Sequence, residues 1–165
     1  MWLPRYARQV REVLAELFSA GVVLVPVPGS SVSSRRVWAA EKLAVALRGI
    51  GLGVGVARLL RRRTTVRKSA TAAGNERPNT QQHYESLEAV RSAAHVERLV
   101  LVDDVITKGR TAFAAALRLH EAFPHADIRV FALVRTLGLH LEPGRVLDPC
   151  QGFVCWRGGD TRREP

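Results

Sequence analysis

Apolar and polar residues alternate along the first part of the chain in blocks that predict a helix followed by a strand. Between Arg5 and Ala20, apolar residues recur at helical spacing with charged residues between them, and Gly21 supplies a stop. The near-continuous apolar run from Val22 to Val27 is typical of a buried parallel strand. We therefore expect an amphipathic helix that leads directly into a strand of a parallel sheet.

The next block predicts a loop, a second helix and a less regular stretch. The helix begins at Ser33 or Ser34, either of which could cap it, and extends to about Leu47. Residues 52–60 are β-rich, whereas residues 61–82 contain almost no large apolar side chain and predict a long exposed loop. Residues 83–90 fit either a short strand or a helical turn, and the pattern alone does not decide between them.

The clearest strand signal comes later in the chain. The run from Leu99 to Val102 is fully apolar and is expected to end at Asp103-Asp104. Residues 111–123 show helical periodicity, and Pro124 breaks it. Residues 128–134 then predict a third buried strand. This order repeats the strand, helix and strand of the first half.

Such alternation predicts an α/β fold: one Rossmann-like parallel sheet flanked by helices, in a single domain that covers residues 1–165. The tail, residues 135–165, is expected to be irregular, with one short strand near Phe153. Ligands of such sheets lie at the carboxyl ends of the strands. Asp103, Asp104 and the loop Pro28-Gly29-Ser30 all fall there.

Composition agrees with one globular domain of 165 residues, 47% of them hydrophobic. No apolar run is long enough to cross a bilayer, and the first residues lack the apolar stretch of a secretory signal. A cytoplasmic location without a membrane partner is therefore expected. Cys150 and Cys155 have neither zinc-ligand spacing nor a second pair, which favours idle thiols.

The net charge of +10 favours anionic partners. Phosphorylated metabolites and nucleic acid both fit a surface of this kind, and charge alone does not separate them.

The segment from Leu99 to Thr111 combines a buried strand, two carboxylates, a hydroxyl-rich turn with a glycine, and the start of a helix. Unpaired amides and the dipole at a helix start both attract phosphate. Gly109 allows the backbone to approach an anion closely. Adjacent carboxylates can hold vicinal hydroxyls or organise a divalent cation. A ribose 5-phosphate offers both features.

This segment resembles the signature of the type I phosphoribosyltransferases, which bind 5-phosphoribosyl 1-pyrophosphate (PRPP). The resemblance implies that Asp103 and Asp104 contact the ribose hydroxyls, serve catalysis and hold Mg²⁺, either directly or through water. It also implies a cradle for the 5-phosphate made by Thr107, Lys108, Gly109, Arg110 and Thr111.

The same resemblance implies a pyrophosphate-binding loop after the first strand and a flexible loop, about residues 61–82, that closes over the reacting centre. Lys68 in that loop is a candidate catalytic residue, and Ser69 and Tyr84 could reach pyrophosphate. The residues expected to bind pyrophosphate are Pro28, Gly29, Ser30, Arg35, Arg36 and Arg77.

A small variable hood, about residues 135–165, would select the base. The candidates for base binding are Ile106, Arg135, Phe153 and Trp156. Phe153 or Trp156 could stack on a flat base, although packing in the core is the favoured role for both side chains.

The activity implied is transfer of the phosphoribosyl group from PRPP to a nitrogen nucleophile, a nucleobase or another amine, with release of pyrophosphate. The family resemblance also makes a homodimer the expected assembly. Two alternatives stay open: a PRPP-sensing regulator without catalysis, and a nucleic-acid-binding accessory protein like the competence-associated branch of the family.

Overall fold

The structure is a computed structural model, and it describes residues 10, 12–32, 37–67, 77–90, 96–136 and 148–164. Helix α1 is described over residues 12–17. The other helices are α2 (Ala39–Gly49), α3 (Thr80–Ser86) and α4 (Arg110–Ala122). The strands are β1 (Val23–Pro26), β2 (Gly55–Val56), β3 (Leu60–Arg62), β4 (Leu87–Ala89), β5 (Arg98–Ile106), β6 (Asp127–Arg135), β7 (Phe153–Arg157) and β8 (Asp160–Glu164).

A four-stranded parallel sheet in the order β2-β1-β5-β6 forms the centre of the fold. Alternate side chains of its central strands face opposite layers, as the two-residue period of a strand requires. Leu24 and Val100 pack with α2 on one face, while Val25 and Leu101 pack with α4 on the other. The expected α/β architecture with helices flanking a parallel sheet is therefore confirmed.

Two further pairs of strands lie outside this sheet. β3 pairs antiparallel with β4, and β7 pairs antiparallel with β8. The β-rich run at residues 52–60 is thus divided: β2 contributes two residues to the main sheet, whereas Leu60 begins β3 in another. No helix among the described residues is long and apolar enough to span a membrane.

The long exposed loop predicted at residues 61–82 is wrong at both ends. Arg61 and Arg62 belong to β3, and Arg62 is buried. At the other end α3 begins at Thr80, with Asn79 and Gln82 forming a capping box. Residues 83–90 contain both a helix end and a strand, because α3 continues to Ser86 and β4 follows directly.

Two other boundaries and the burial of one strand differ from the prediction. α2 begins at Ala39 with Trp38 in the N-cap position, and Ser33 and Ser34 lie outside the described residues. β5 does not end at Asp103-Asp104 but continues to Ile106, because pairing with β6 extends it. β6 itself has no fully buried residue, contrary to prediction, because among the described strands it lies at the end of the sheet and pairs with β5 alone.

The predicted irregular tail contains a β-hairpin instead of one short strand. The hairpin turns at Gly158 and Gly159, which both have a positive φ, and it packs on the start of α4. Val154 meets Gly109 there, and the Trp156 ring stacks on Phe113 with centroids 6.3 Å apart. The C-terminal segment is therefore attached to the turn that carries the candidate phosphate site.

Candidate functional site

The register of β1 and β5 brings the two candidate loops to one edge of the sheet. Pro26 at the end of β1 pairs with Val102, and the Val27 amide donates to the Val102 carbonyl at 2.9 Å. The residues that follow these positions are the loop from Pro28 and the acid pair from Asp103. Their proximity is a consequence of parallel pairing, as expected for the carboxyl ends of adjacent strands.

The acid pair is asymmetric. Asp103 is half-buried and Asp104 is exposed, and the Asp104 amide donates to Asp103 Oδ1 at 3.0 Å. Burial, together with the neighbouring Asp104 carboxylate, raises the pKa of Asp103 to about 7, while the Arg62 guanidinium partly opposes the shift. Two adjacent acids with this balance attract hydroxyl donors or a cation.

The turn between β5 and α4 ends at a helix start that is capped by a glycine. Gly109 occupies the N-cap position with φ of 80°, a left-handed conformation that favours glycine. A Cβ atom there would lie 2.6 Å from Val154 Cγ1, so the hairpin leaves no space for a side chain. The first amides of any helix lack acceptors within the helix, and this turn therefore retains the donors that an anion needs.

The cations of this turn have partners in the hairpin. Arg110 donates to both oxygens of Asp160, at 2.8 and 2.6 Å, and to the Pro78 carbonyl at 3.2 Å. Lys108 Nζ lies 3.4 Å from the same carboxylate. The Arg110 guanidinium holds the pKa of Asp160 well below its usual range. Lys108 and Arg110 thus attach the hairpin to the turn, and a direct role of their side chains in phosphate binding stays a prediction.

The loop after β1 is anchored by its carbonyl groups. The Val27 carbonyl accepts from Trp38 Nε1, the Gly29 carbonyl accepts from Arg62 Nε at 2.9 Å, and the Ser30 carbonyl accepts from the Val66 amide at 2.9 Å. Pro28 is buried, while Gly29 and Ser30 are half-buried.

The other residues of the predicted phosphate and pyrophosphate machinery are only partly among those that the structure describes. Arg35, Arg36, Lys68 and Ser69 lie outside the described residues, and Arg77 is exposed before α3. The Tyr84 hydroxyl donates to Glu121, and the Arg118 guanidinium lies 3.6 Å from the centre of the Tyr84 ring. Glu121 is in the last turn of α4, so Tyr84 is directed away from the candidate phosphate turn at the start of that helix.

The four predicted base-binding residues do not form one cluster. Ile106 and Arg135 pair at the ends of β5 and β6, next to the acid pair. Phe153 is 76% exposed and Trp156 is 50% exposed, so the favoured expectation that both pack in the core is wrong. They are three residues apart in one strand and thus on opposite faces, and only Trp156 faces the body of the protein.

A shallow cavity of about 370 Å³ lies between the candidate phosphate turn and the hairpin. The charged residues in its lining are Lys108, Arg157, Asp160, Arg162 and Arg163. Arg163 also donates to the carbonyls of Ile106 and Thr136, at 3.2 and 2.6 Å. The excess of cations gives this side of the turn a positive potential.

Sequence reasoning missed a buried polar cluster formed by Arg62, His83 and Ser86. The Arg62 guanidinium donates to Ser86 Oγ, and Nη2 lies 3.4 Å from His83 Nδ1. His83 Nε2 lies 3.4 Å from Thr111 Oγ1 in the candidate phosphate turn. Alternation in β3 places Arg62 on the same side as buried Leu60, and this pattern was hidden in an arginine run that predicted a solvated loop.

No model of a known protein family matches this sequence, and no curated protein matches it.

Proposed function

We propose that this protein is a phosphoribosyltransferase that transfers the phosphoribosyl group of PRPP to a nitrogen nucleophile and releases pyrophosphate. The observation that carries the proposal is the meeting of three features at one sheet edge. These are the acid pair of β5, the glycine-capped start of α4, and the carbonyl-anchored loop after β1. One ligand that matches all three is a ribose with a 5-phosphate and a pyrophosphate.

In this proposal the turn from Thr107 to Thr111 binds the 5-phosphate through its amides and hydroxyls. Asp103 and Asp104 accept hydrogen bonds from the ribose hydroxyls. They also stabilise the positive charge that develops on the ring when the bond from C1 to pyrophosphate breaks. The nitrogen nucleophile attacks C1 from the other side, and pyrophosphate leaves towards the loop Pro28-Gly29-Ser30.

The donor set also fits Mg²⁺. Asp103 and Asp104 offer oxygen ligands, and a cation beside them would oppose the burial and the repulsion by Asp104 that together raise the pKa of Asp103. Within the described residues no group of three or more acidic, histidine or cysteine side chains could hold a metal ion. The proposed ion therefore needs further oxygen ligands from water and from the donor. When bound, it would neutralise charge on the leaving pyrophosphate.

Calorimetry with PRPP and Mg²⁺ tests donor binding directly. We expect heat of binding for the wild-type chain and none for the double variant Asp103→Asn with Asp104→Asn. Asp127→Asn, which removes an exposed carboxylate at the opposite end of β6, is the matched control and should bind like wild type. A folded wild-type protein that gives no heat would reject the proposal.

Turnover is tested separately, by release of pyrophosphate with a panel of nucleobases and small amines. Stimulated release with one member of the panel would identify the nucleophile. Donor binding without release for any member would favour a regulator over an enzyme.

One observation favours the nucleic-acid alternative as a second candidate. The hairpin carries exposed Phe153 together with exposed Arg157 and Arg162. Aromatic and cationic side chains in this combination bind single-stranded nucleic acid by stacking and charge. Binding of a labelled single-stranded oligonucleotide that depends on salt, responds to PRPP and is lost in Phe153→Ala would support this candidate.

A further inference from the structure

One buried side chain joins the two candidate phosphate-binding loops. Arg62 is 6% exposed, and its Nε donates to the Gly29 carbonyl in the loop after β1. Its Nη1 donates to Ser86 Oγ and, at 3.5 Å, to the His83 carbonyl. A buried guanidinium is stable only when acceptors surround it, and its planar fork fixes where they lie.

The contact with Gly29 orients the next amide of the loop. The described peptide bonds are all trans, so a carbonyl directed at Arg62 turns the Ser30 amide to the opposite side. The Ser30 carbonyl is held by the Val66 amide, which turns the Ser31 amide away from Val66 in the same manner. Successive amides that are freed in this way can bind an anion such as pyrophosphate.

The contact with His83 determines which hydrogen bond the Thr111 hydroxyl can donate in the candidate phosphate turn. Arginine only donates, so His83 Nδ1 accepts from Arg62 and the neutral ring carries its hydrogen on Nε2. Burial and the charges of Arg62 and Arg110 lower the pKa of His83 to about 4, so the ring is neutral at physiological pH. Nε2 then donates to Thr111 Oγ1 at 3.4 Å. The Thr111 hydroxyl accepts this bond and keeps its own hydrogen for a phosphate oxygen.

We propose that Arg62 is a positioning residue for the binding of PRPP. Through Gly29 it orients the amides that bind pyrophosphate, and through His83 it leaves the Thr111 hydroxyl able to donate its hydrogen to the 5-phosphate. The inference rests on the proposed function. It adds that both anionic ends of PRPP depend on one residue that neither of them touches.

Calorimetry with three ligands separates this role from simple stabilisation. Full-length protein with Mg²⁺ is titrated with PRPP, with ribose 5-phosphate and with inorganic pyrophosphate. Arg62→Lys keeps a positive charge but loses the planar guanidinium, and should weaken the binding of all three ligands by about tenfold or more. His83→Phe removes the relay to Thr111 and one acceptor of Arg62 but leaves the bond from Arg62 to Gly29. It should weaken ribose 5-phosphate binding by about tenfold while pyrophosphate affinity stays within about twofold.

Arg98→Met is the matched control, because Arg98 lies at the opposite end of β5 and donates to Ser19 and Ala20. It should bind all three ligands like wild type. Circular dichroism and thermal unfolding establish that each variant is folded at the titration temperature.

The outcomes distinguish this inference from the proposed function. Wild-type protein that binds no PRPP overturns both. Wild-type binding with unchanged affinities in folded Arg62→Lys overturns the inference alone. If Arg62→Lys does not fold, His83→Phe decides, and equal weakening of ribose 5-phosphate and pyrophosphate, or of neither, rejects the relay.

Discussion

The two candidate anion-binding loops lie at the same sheet edge, but they are held in opposite ways. The loop after β1 is held from the inside, by the buried Arg62 guanidinium, which donates to the Gly29 carbonyl. The turn after β5 is held largely from the outside, by the hairpin whose Asp160 pairs with Arg110 and whose Val154 covers Gly109. One anchor is part of the interior, and the other is partly in contact with solvent.

This difference indicates where each loop is sensitive to change. A buried network leaves orphaned polar groups when one member is removed, which costs much more than the net value of a single hydrogen bond. An ion pair near the surface contributes little, because water and salt screen it. The turn after β5 should therefore depend more on the close contact of Gly109 with Val154 than on the charges around Asp160.

Arg62→Ala should have the largest effect, because it opens a cavity and leaves the Gly29 carbonyl and His83 Nδ1 without their donor. We expect a loss of about 4 kcal/mol in the free energy of unfolding, measured by urea denaturation. Arg61→Ala, one residue earlier and exposed, is the control and should change stability far less, because solvent screens its pair with Glu88. Similar losses of unfolding free energy in both variants would contradict the expectation that a buried anchor contributes more to stability than an exposed one.

Gly109→Ala should follow, with a loss of about 3 kcal/mol, because alanine disfavours this positive φ and its Cβ collides with Val154. Gly158→Ala has a positive φ but open space around the Cβ position, and should cost only about 1 kcal/mol. Adding Val154→Ala to Gly109→Ala should restore part of the lost stability. A double variant that is less stable than Gly109→Ala would contradict a steric origin.

Asp103→Asn tests the acid pair between the two loops. The pKa of Asp103 is raised to about 7, so between about pH 4 and that value the folded protein keeps a proton that the unfolded chain releases. Wild-type stability should therefore fall as pH rises through this window. Asp103→Asn should lack this part of the pH dependence and be more stable than wild type above it, by about 2 kcal/mol. Parallel pH profiles of the two proteins in urea denaturation would show that Asp103 titrates normally.

Asp160→Asn should have the smallest effect, less than about 1 kcal/mol at neutral pH, and the difference should shrink in high salt. Arg110 lowers the pKa of Asp160, so its contribution is present above the pKa of the unfolded chain and is lost as pH falls through the folded one. Glu164→Gln, which breaks another exposed pair of the hairpin, is the matched control. A salt-independent loss as large as that of Gly109→Ala would show that charge holds the turn.

The central strand and the helix after it could be predicted because their signals are local. Four successive apolar residues from Leu99 and a helical repeat from residue 111 determine these elements, and the helix boundaries are correct to within one residue. The acid pair and Gly109 were found for the same reason, since they are consecutive in the chain. By contrast, the burial of Arg62 depends on acceptors 21 to 33 residues away, which no local pattern contains.

The hairpin could not be predicted from the sequence, for a related reason. Phe153 and Trp156 are large and apolar, which favours the core, but among the described strands β7 pairs with β8 alone, and it lies at the surface of α4. The exposure of β6 likewise follows from its place at the end of the sheet. Long-range pairing decides the order of the strands and which of them lie at a sheet edge, and neither can be predicted from amino-acid composition.

The sequence by itself determined the succession of strands and helices, the adjacency of Asp103, Asp104 and the glycine turn, and the basic balance of the chain. Only the tertiary structure decided that Arg62 lies inside, that Asp160 meets Arg110, and that the two loops share an edge. Periodicity and turn chemistry act over a few residues, whereas burial and charge pairing depend on which distant segments the sheet brings together.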